Sequence, residues 1–495
     1  MTLNVRLIDK GGYYMKGFKK LTAGFLGVVM ALSVCSFTAL AEENNEVPIS
    51  DKEDLAAAVS AQDDGQTWEI KGDFDVTALV GINKNIVING NGHTLTFTGN
   101  IANEGDGENS FIQITGKATV EINGLTIDGD NKVKHCINVY GKGEDTKVTL
   151  DGVTMKNGYE GYGLVVNSAD VTVKDIKTSD NDWGGINVDT AGSKKSTLTI
   201  ESATIKEENS VYIENKNSAE IKAEIKGGTF EGEVHTAEGV DKEKLSITGG
   251  TFKEDVSKYI DGDSAFVKDK DGNYVVADKE EIKEKGSKFY ISDEKALKDA
   301  IEAQADGVTW VFDNKTYELD STIKIKEDIT IEGNGAVLSY IEEIYNATDA
   351  KERCGIHIDS GANVEINDLT IDGKGYISRH GINVYSYKKD DRITSVTVDN
   401  VKIVNCRGYA IVNNASEVTV DGLETSGNGW GGINVDNSDS RDAREDGAEL
   451  IVESATINES YSVVFENKTG AKIDAEIKDG TFKGYVGYGV NKDRF

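Results

Sequence analysis

Proline and aromatic residues are scarce in this chain of 495 residues, which has one proline, Pro48, and only 7% aromatics. A single proline excludes a proline-rich linker protein, and few aromatics exclude a core built mainly from large rings. The apolar fraction of 38% still exceeds that of chains that stay disordered. Glycine, by contrast, is abundant at 54 residues. This composition predicts a core of small aliphatic side chains and many short strands joined by Gly, Asn and Asp turns.

Basic residues and cysteines are also few. The chain has 54 Lys and Arg against 86 Asp and Glu, a net charge of −32, which excludes a nucleic-acid binder because such proteins need a basic face. After Cys35, which lies in an N-terminal targeting segment, only Cys136, Cys354 and Cys406 follow. Their odd number and wide spacing indicate no disulfide framework and no metal site. We expect three buried thiols, with a bridge between Cys354 and Cys406 as the alternative.

The N-terminal segment has the features of a targeting signal. Residues 15–41 have a basic start, an apolar middle and small residues at Ala39 and Ala41, which is typical of a bacterial secretory signal peptide. A non-cleaved membrane anchor is the alternative, but the apolar run is shorter than a membrane span needs. We therefore expect no transmembrane span after cleavage. Residues 1–14 are predicted to be an untranslated upstream extension, because Lys10-Gly11-Gly12 can be encoded by a ribosome-binding site ahead of Met15. The protein is therefore expected to be secreted and extracellular, or held at the cell surface.

A tandem duplication dominates the rest of the sequence. Residues 55–230 repeat as residues 297–482: the sequence WGGINVD of 183–189 recurs at 430–436, and HCINVY of 135–140 recurs as HGINVY at 380–385. Within each half, alternating apolar and polar runs recur every 22 to 34 residues and end in Asn-Gly or Asp-Gly turns. Such coils are typical of a parallel β-solenoid, in which stacked neighbours share one core. An antiparallel sandwich is the alternative, but it does not explain the recurrence.

Both halves open with a short helical pattern, at residues 50–62 and 292–304, and Ser50 and Glu53 have capping-box spacing. Because the first coil of a solenoid exposes its core, each helix is predicted to act as a cap. The predicted fold is all-β: two tandem parallel β-helices at residues 46–278 and 289–495, joined by a linker at 279–288. The second half ends 13 residues after Phe482, so we expect a truncated C-terminus whose missing part carries a cell-wall anchor or more repeats.

The helix followed by a Trp or Ile strand, the INGNG-type turn, the LTIDG coils and the GINV strands resemble a known family. They are similar to the secreted right-handed parallel β-helix proteins of the pectin-lyase-like superfamily. The resemblance implies right-handed β-helices and a carbohydrate-related role, and it leaves the activity open because the fold hosts lyases, hydrolases, epimerases, esterases and binding proteins. The catalytic signatures of the polygalacturonases, pectin methylesterases, pectate lyases and alginate epimerases are absent from the sequence.

Period-2 alternation in four successive strands of each half predicts two outward columns of side chains. The polar members of the columns, proposed to bind ligand, are Asn138, Tyr140, Asn167 and Asn187 in the first half and Asn383, Tyr385, Asn414 and Asn434 in the second. Aromatic and imidazole groups stand just before these strands, at His135, Trp183, His380 and Trp430. Sugars stack on aromatic rings while amides and carboxylates bind their hydroxyl groups. The pattern predicts a glycan groove; the alternative is that these residues merely face water or stabilise the stack.

Four carboxylates at the end of the columns are the candidate catalytic groups: Asp189 and Glu214, and Asp436 and Glu466. Adjacent coils lie about 4.8 Å apart, which suits a retaining glycosidase pair or a shared calcium ion. Calcium is the one cofactor considered, although no known calcium-binding loop is present. The columns contain no Lys or Arg, which counts against a lyase.

Duplication favours binding, because two weak sites on one chain gain avidity. The sequence therefore predicts a secreted or cell-surface protein that binds a polysaccharide or glycan in the polar-aromatic strip. A polysaccharide lyase or glycoside hydrolase acting in the same strip is the first alternative. A structural stalk or adhesin is the second.

Overall fold

The computed structural model describes residues 45–99, 109–141, 145–190, 195–216, 219–342, 353–437, 444, 447–467 and 471–489. The signal peptide and upstream extension predicted for residues 1–41 lie outside this range. Within it, no helix is long and apolar enough to cross a membrane.

The chain winds into a β-solenoid of about 16 turns, whose strands form four sheets. The first half contributes a wide sheet of 17 strands, here called wide sheet 1. Its strands are β1 (Glu46–Ile49), β2 (Gln66–Ile70), β3 (Phe74–Val76), β5 (Ile86–Asn89), β6 (Thr94–Phe97), β8 (Thr119–Asn123), β9 (Thr126–Asp128), β11 (Lys147–Lys156), β13 (Asp170–Ser179), β15 (Ser196–Ile200), β16 (Ala203–Ile205), β18 (Ile221–Ile225), β19 (Thr229–Phe230), β21 (Leu245–Ile247), β22 (Gly250–Phe252), β23 (Ser264–Lys268) and β24 (Tyr274–Asp278). Narrow sheet 1 has seven strands: β4 (Val80–Ile82), β7 (Ser110–Thr115), β10 (His135–Tyr140), β12 (Tyr162–Asn167), β14 (Gly184–Asp189), β17 (Asn209–Ile213) and β20 (Glu233–Thr236).

The second half repeats this arrangement. Wide sheet 2 has 13 strands: β25 (Lys288–Ile291), β26 (Val308–Phe312), β27 (Thr316–Leu319), β29 (Ile329–Tyr340), β31 (Asn363–Asp372), β33 (Ser395–Asp399), β34 (Lys402–Val404), β36 (Glu417–Asp421), β37 (Leu423–Ser426), β39 (Ala448–Val452), β40 (Ala455–Ile457), β42 (Ile473–Ile477) and β43 (Thr481–Phe482). Narrow sheet 2 has seven: β28 (Ile323–Ile325), β30 (Ile356–Ile358), β32 (Ile382–Tyr385), β35 (Tyr409–Asn414), β38 (Gly431–Asp436), β41 (Tyr461–Glu466) and β44 (Tyr485–Tyr488).

Strands of successive turns pair in parallel, one directly above the next. In narrow sheet 1, Ile137 pairs with Leu164, Leu164 with Ile186, and Ile186 with Val211. Among the described strands, only β24 pairs antiparallel, with β22 and β23 at the end of the first half. The solenoid prediction is confirmed, and the antiparallel sandwich is wrong.

Small aliphatic side chains fill the interior, as the composition predicted. The alternate residues of the narrow-sheet strands that were expected to point inward are all fully buried: Ile137, Val139, Leu164, Val166, Ile186, Val188, Val211 and Ile213. Stacking identical positions of successive turns places these chains in contact, so each turn buries the apolar face of its neighbour.

The described part of the chain contains three α-helices: α1 (Lys52–Ser60), α2 (Lys279–Glu284) and α3 (Glu294–Glu302). Helices α1 and α3 form where the two helical patterns were predicted, and each contacts the first strands of its half. Their N-caps are Asp51 and Asp293, whose carboxylates accept from backbone N–H groups three residues on. The capping box predicted at Ser50 is therefore wrong: the N-cap of α1 is the next residue, Asp51, whose carboxylate caps the helix. The capping role of the helices stays a prediction.

The chain between the halves is packed. Helix α2 occupies most of the predicted linker, and its Ile282 is buried. Across the junction, Lys268 Nζ lies 2.8 Å from Asp299 Oδ2 with both side chains largely buried, and the rings of Phe266 and Phe289 are 5.9 Å apart. No described strand of one half pairs with a strand of the other, yet Asn45–Phe495 form one compact unit. The division into two domains stays a prediction.

The three described cysteines, Cys136, Cys354 and Cys406, are buried free thiols. The alternative of a bridge between Cys354 and Cys406 is therefore wrong. Burial raises the pKa of Cys406 to about 12, with the charges of Asp372 and Glu459 adding to the effect. These thiols act as small apolar side chains in the core.

Candidate functional site

The predicted columns form on the narrow sheets. In the first half, Asn138 pairs with Val165, Val165 with Asn187, and Asn187 with Tyr212; the neighbouring column runs from Tyr140 through Asn167 to Asp189. In the second half, the corresponding columns are Asn383, Val412, Asn434 and Val464, and Tyr385, Asn414, Asp436 and Glu466. The sequence alternation thus assigned the correct register to every one of these strands.

Much of the strip is nevertheless buried. Of the predicted site residues in the columns, those that lie below a tenth of full exposure are Asn138, Asn187, Asp189, Asn383, Tyr385, Asn434 and Asp436. Those that remain partly accessible are Tyr140, Asn167, Glu214, Asn414 and Glu466. Side chains at equivalent positions of adjacent turns lie only about 4.8 Å apart and cover one another. The centre of the predicted groove is therefore closed to a polymer, and its accessible groups lie along the edge.

The first carboxylate pair contains a lysine that the column pattern did not include. Lys216 Nζ lies 2.8 Å from Glu214 Oε2 and 3.5 Å from Asp189 Oδ2. The hydrogen bond to Glu214, with the charges of both carboxylates, raises the pKa of Lys216 above its usual value despite its partial burial. The argument that the strip lacks a cation is therefore wrong. Lys216 was missed because it belongs to the turn after β17 and not to a strand.

Asp189 and Glu214 differ in what they offer to a ligand. Asp189 Oδ1 accepts hydrogen bonds from the backbone N–H groups of Thr190 at 2.8 Å and Lys216 at 3.0 Å. Its buried carboxylate thus stabilises the turn. Glu214 is partly exposed and accepts from Asn187 Nδ2 at 3.3 Å, so it is the member of the pair that reaches the surface. In the second half, Asp436 pairs in register with Glu466, and the counterpart of Lys216, Lys468, lies outside the described residues.

Beside each strip lies a three-ring cluster. Platform 1 consists of His135, Tyr162 and Trp183, with ring centroids 5.9 to 6.2 Å apart. Platform 2 consists of His380, Tyr409 and Trp430, with centroids 5.5 to 6.1 Å apart. In both, the tyrosine stacks on the histidine and the tryptophan meets both rings edge-on. The sequence proposed the histidines and tryptophans as neighbours of the strip, and the structure brings them into contact.

Tight turns hold the platforms together. Gly408 approaches the turn before β32 so closely that an added Cβ would lie 2.2 Å from the carbonyl oxygen of Arg379. Gly161 makes the same approach to Lys134. A larger residue at either position would separate the tyrosine from the histidine of the preceding turn, so these glycines are required by packing.

The platform histidines are held in one tautomer. The backbone N–H of Tyr162 donates to His135 Nδ1 at 2.9 Å, and that of Tyr409 donates to His380 Nδ1 at 3.2 Å. An accepting Nδ1 leaves the proton on Nε2 of the neutral ring. Burial, assisted by the charge of Arg379, lowers the pKa of His380 to about 3. His380 is thus a neutral packing group, and the proposal that it binds ligand directly rests on its Nε2–H alone.

This burial predicts a pH dependence of stability. The unfolded chain protonates His380 near pH 6.5 and the folded chain near pH 3, so the stability conferred by the neutral ring is complete above pH 6.5 and is lost as the pH falls. The slope per histidine is about 1.4 kcal/mol per pH unit. Urea unfolding at pH 7 and pH 4.5 should show that wild type loses about 2 to 3 kcal/mol more than His380→Gln. Parallel losses in the two proteins would contradict this assignment.

Each platform adjoins its strip through the tyrosine. Burial, together with the charges of Glu214 and Tyr212, raises the pKa of Tyr162 to about 12. Burial, with Glu466, Tyr461 and Asp436, raises the pKa of Tyr409 further. Both phenols therefore stay protonated and can act as hydrogen-bond donors. A further ring pair lies at the end of the first strip: Tyr212 meets His235 edge-on, with ring centroids 4.9 Å apart.

The second strip contains a hydrogen-bonded chain that the sequence analysis missed. Asn414 Nδ2 donates to Asn383 Oδ1 at 3.0 Å, Asn383 Nδ2 lies 3.1 Å from His357 Nδ1, and His357 Nε2 lies 3.2 Å from Asp359 Oδ2. Although burial by itself raises the pKa of Asp359, hydrogen bonds from His357 and Ser360 lower it overall. Extending the column one turn towards the N-terminus would have found His357, which pairs in register with Asn383.

The described residues contain no group of three or more His, Cys, Asp or Glu side chains that could hold a metal ion. The acid-rich segment 438–446 lies almost entirely outside them. The calcium considered from the sequence thus has no observed ligand set and stays untested.

Comparisons with known proteins add little to this geometry. No family model and no curated protein matches the sequence. Among solved structures, the chain is similar to a PL6 family alginate lyase, AlyGC, at 11% identity over 88% of this chain and 90% of that one, with a TM-score of 0.27. A point mutant of the same lyase matches at 9% identity, covering 89% and 100%, with a TM-score of 0.26. The catalytic domain of a GH87 α-1,3-glucanase in complex with nigerose matches at 11%, covering 80% and 66%, with a TM-score of 0.18. At these scores the likenesses support no statement about activity.

Proposed function

We propose that the protein binds polysaccharide or glycan chains at platforms 1 and 2 without cleaving them. The observation that carries this proposal is the exposure of Trp183, of whose surface 46% is accessible although it packs against two other rings. The chain has four tryptophans, and Trp68 and Trp310 are fully buried in the core. An exposed indole fixed by a buried histidine and a half-buried tyrosine offers a rigid apolar face to a sugar ring.

Polar groups next to the indole suit the hydroxyl groups of a stacked sugar. Tyr162, which contacts the indole, supplies a phenol donor. Beyond Tyr162, Glu214 supplies a carboxylate acceptor and its partner Lys216 an ammonium donor. Lys134 Nζ lies 5.1 Å from the Trp183 ring centre and adds a cation at the rim. Platform 2 repeats the rings and places Glu466 near Tyr409. The duplication of the platform favours binding, because two sites on one chain gain avidity.

The test is retention of the full chain on a panel of immobilised neutral and acidic polysaccharides. Trp183→Ala should weaken retention by about tenfold on the polymer that binds best, since loss of aromatic stacking and apolar contact costs about 1 to 2 kcal/mol. Ile341→Ala is the matched control, because Ile341 is an exposed apolar residue that follows a strand of wide sheet 2. Equal retention of wild type and Trp183→Ala on every polymer would refute the proposal.

A polysaccharide lyase or glycoside hydrolase is the second candidate. Lys216, which lies beside Glu214, removes the objection that the strip contains no cation. Lys216 could neutralise a developing negative charge or move a proton next to that carboxylate. The same panel tests this candidate through the release of new chain ends. Release that disappears in Glu214→Gln and Lys216→Ala would establish an enzyme. If the chain were not retained on any polymer and released no new chain ends, the result would favour a structural stalk.

We also propose that the protein is secreted and acts outside the cell or at its surface. This proposal rests on the signal-peptide features of residues 15–41. Association with the cell wall stays a further proposal of the same kind.

A further inference from the structure

An open groove of about 670 Å³ lies beside Trp430 on the outer turns of the second half. It is lined by three stacked turns, 373–375, 405–407 and 427–429, each of which follows a strand of wide sheet 2. The third turn leads directly into Trp430. The backbone N–H of Trp430 donates to the carbonyl oxygen of Gly408, the residue after Arg407, at 3.1 Å. The groove therefore adjoins platform 2, and we call it groove 2.

Several backbone hydrogen bonds of these turns recur in the first half. Gly373 N donates to Val404 O at 2.9 Å and Gly375 N to Asn405 O at 2.8 Å, and the equivalent bonds of the first half, Gly129 to Lys156 and Asn131 to Asn157, are 2.8 and 2.9 Å. Side-chain ties repeat too: Asn405 Nδ2 donates to Asp372 Oδ1 at 2.9 Å, and Asn157 Nδ2 to Asp128 Oδ1 at 2.7 Å. These bonds are shared, although the turn from Asn157 to Tyr162 is one residue longer than the turn from Asn405 to Tyr409. The larger difference between the two halves is in the charged side chains of the turns.

The charges at equivalent positions differ: two positions are basic in one half and acidic in the other, and two are uncharged in one half and acidic in the other. Groove 2 carries Lys374, Arg407, Gly427 and Gly429, where the first half carries Asp130, Glu160, Asp180 and Asp182. Arg407 and Glu160 each precede the glycine of the tight turn, and Gly429 and Asp182 each precede the platform tryptophan. Lys374, Arg407, Asp130, Glu160 and Asp182 are all exposed. The first-half turns also carry two lysines: Lys132 Nζ lies 2.6 Å from Asp130 Oδ2, and Lys134 Nζ lies 5.1 Å from the centre of the Trp183 ring. Four acids against two lysines leave these turns net negative, whereas Lys374 and Arg407 make groove 2 net positive, so the local potentials of the two halves differ.

We propose that the two platforms recognise different sugars: platform 2 with groove 2 binds a sugar that bears a carboxylate or sulfate group, and platform 1 binds a neutral one. This inference rests on the proposed glycan-binding function and assigns the ligand class of each site. Lys374 and Arg407 form charge-assisted hydrogen bonds with the anionic group while its ring stacks on Trp430. The net negative charge of the first-half turns disfavours the same group although Lys134 lies over Trp183, so platform 1 prefers neutral sugars.

The experiment isolates platform 2 in the full chain carrying Trp183→Ala. Binding is measured by calorimetry with three probes: an oligogalacturonate, the same oligosaccharide with its carboxylates reduced to alcohols, and a sulfated galactan oligosaccharide. We expect at least one acidic probe to bind about tenfold or more tightly than the reduced probe, and 0.5 M salt to remove most of the difference. The comparison of the two acidic probes identifies carboxylate or sulfate as the preferred group.

Charge exchange provides the decisive variants. Lys374→Asp with Arg407→Glu installs the first-half residues and should abolish the preference, so that the acidic probe binds no more tightly than the reduced probe. The reciprocal pair, Asp130→Lys with Glu160→Arg in a Trp430→Ala chain, should create the preference at platform 1. These residues are exposed, so unchanged melting temperatures are expected and confirm folding.

Different outcomes would refute the charge preference of the two platforms and the proposed glycan binding. Equal binding of acidic and reduced probes that is lost in Trp430→Ala and unchanged by charge exchange would overturn the charge assignment and retain glycan binding. Binding of no probe, or binding that is insensitive to both tryptophans, would overturn the glycan-binding proposal and this inference with it.

Discussion

Glu207→Ala is expected to lower the free energy of unfolding by about 3 to 5 kcal/mol, because it removes the acceptor of two buried donors and leaves a cavity. Glu207 is buried beneath the turn that precedes Trp183. Its Oε2 accepts from Thr178 Oγ1 at 2.6 Å and its Oε1 from Asn181 Nδ2 at 2.6 Å. Asn181 Oδ1 in turn accepts from the backbone N–H of Gly158 at 2.9 Å. The carboxylate thus links three successive turns below platform 1.

Glu208 provides the matched control, because it is the next residue, is exposed and carries the same charge. Urea unfolding of Glu207→Ala and Glu208→Ala should show the full loss in the first and under about 0.5 kcal/mol in the second. Glu207→Gln retains the shape and one carbonyl acceptor and should lie between them. A loss in Glu208→Ala as large as that in Glu207→Ala would show that overall charge, and not the buried network, controls stability.

The same network recurs in the second half, which makes it a structural element of the repeat. Glu459 accepts from Thr425 Oγ1 at 2.5 Å and from Asn428 Nδ2 at 2.7 Å, and Asn428 Oδ1 accepts from the backbone N–H of Cys406 at 3.0 Å. Because the two networks lie in different halves and share no partner, the effects of Glu207→Ala and Glu459→Ala should add.

The second large effect is expected from the tryptophans together. On a long polymer containing neutral and acidic sugars, Trp183→Ala with Trp430→Ala should weaken binding by about 100-fold or more, because both contacts and the avidity between them are lost. The two single variants should each remove the avidity and therefore resemble one another on that polymer. Measurements use surface retention of the full chain with unchanged melting temperature as the folding control.

Short oligosaccharides test each platform without the contribution of avidity. An oligosaccharide that contacts one platform gains nothing from the other, so each single variant should lose only its own class of probe. If the single variants bound the long polymer as tightly as wild type, the two platforms would not act on the same chain, and the avidity argument would be refuted.

Local sequence determined the solenoid and the register of its strands. A parallel sheet places a residue beside its counterpart in the next turn, and a valine or isoleucine at every second position buries one face of each turn. Runs such as Ile137–Val139 and Leu164–Val166 therefore indicate from the sequence alone which side chains face the core. Duplication showed that Asp189 and Asp436 occupy equivalent places. Apolar spacing and short polar residues at the N-terminal end also predicted the helices at 52–60 and 294–302.

Tertiary structure alone decided which of these side chains reach solvent and which charges meet. Accessibility depends on neighbours that are one turn away in space but about 22 to 34 residues away in sequence, so alternation could mark Asn187 and Asp189 as outward but not as buried. Lys216 joined Asp189 and Glu214 because a turn folds back over the strand ends, which strand periodicity does not describe. The contrast between Lys374 with Arg407 and Asp130 with Glu160 was present in the sequence. Only the stacking of the turns showed that Glu160 and Arg407 precede the glycines that bond to the backbones of Trp183 and Trp430.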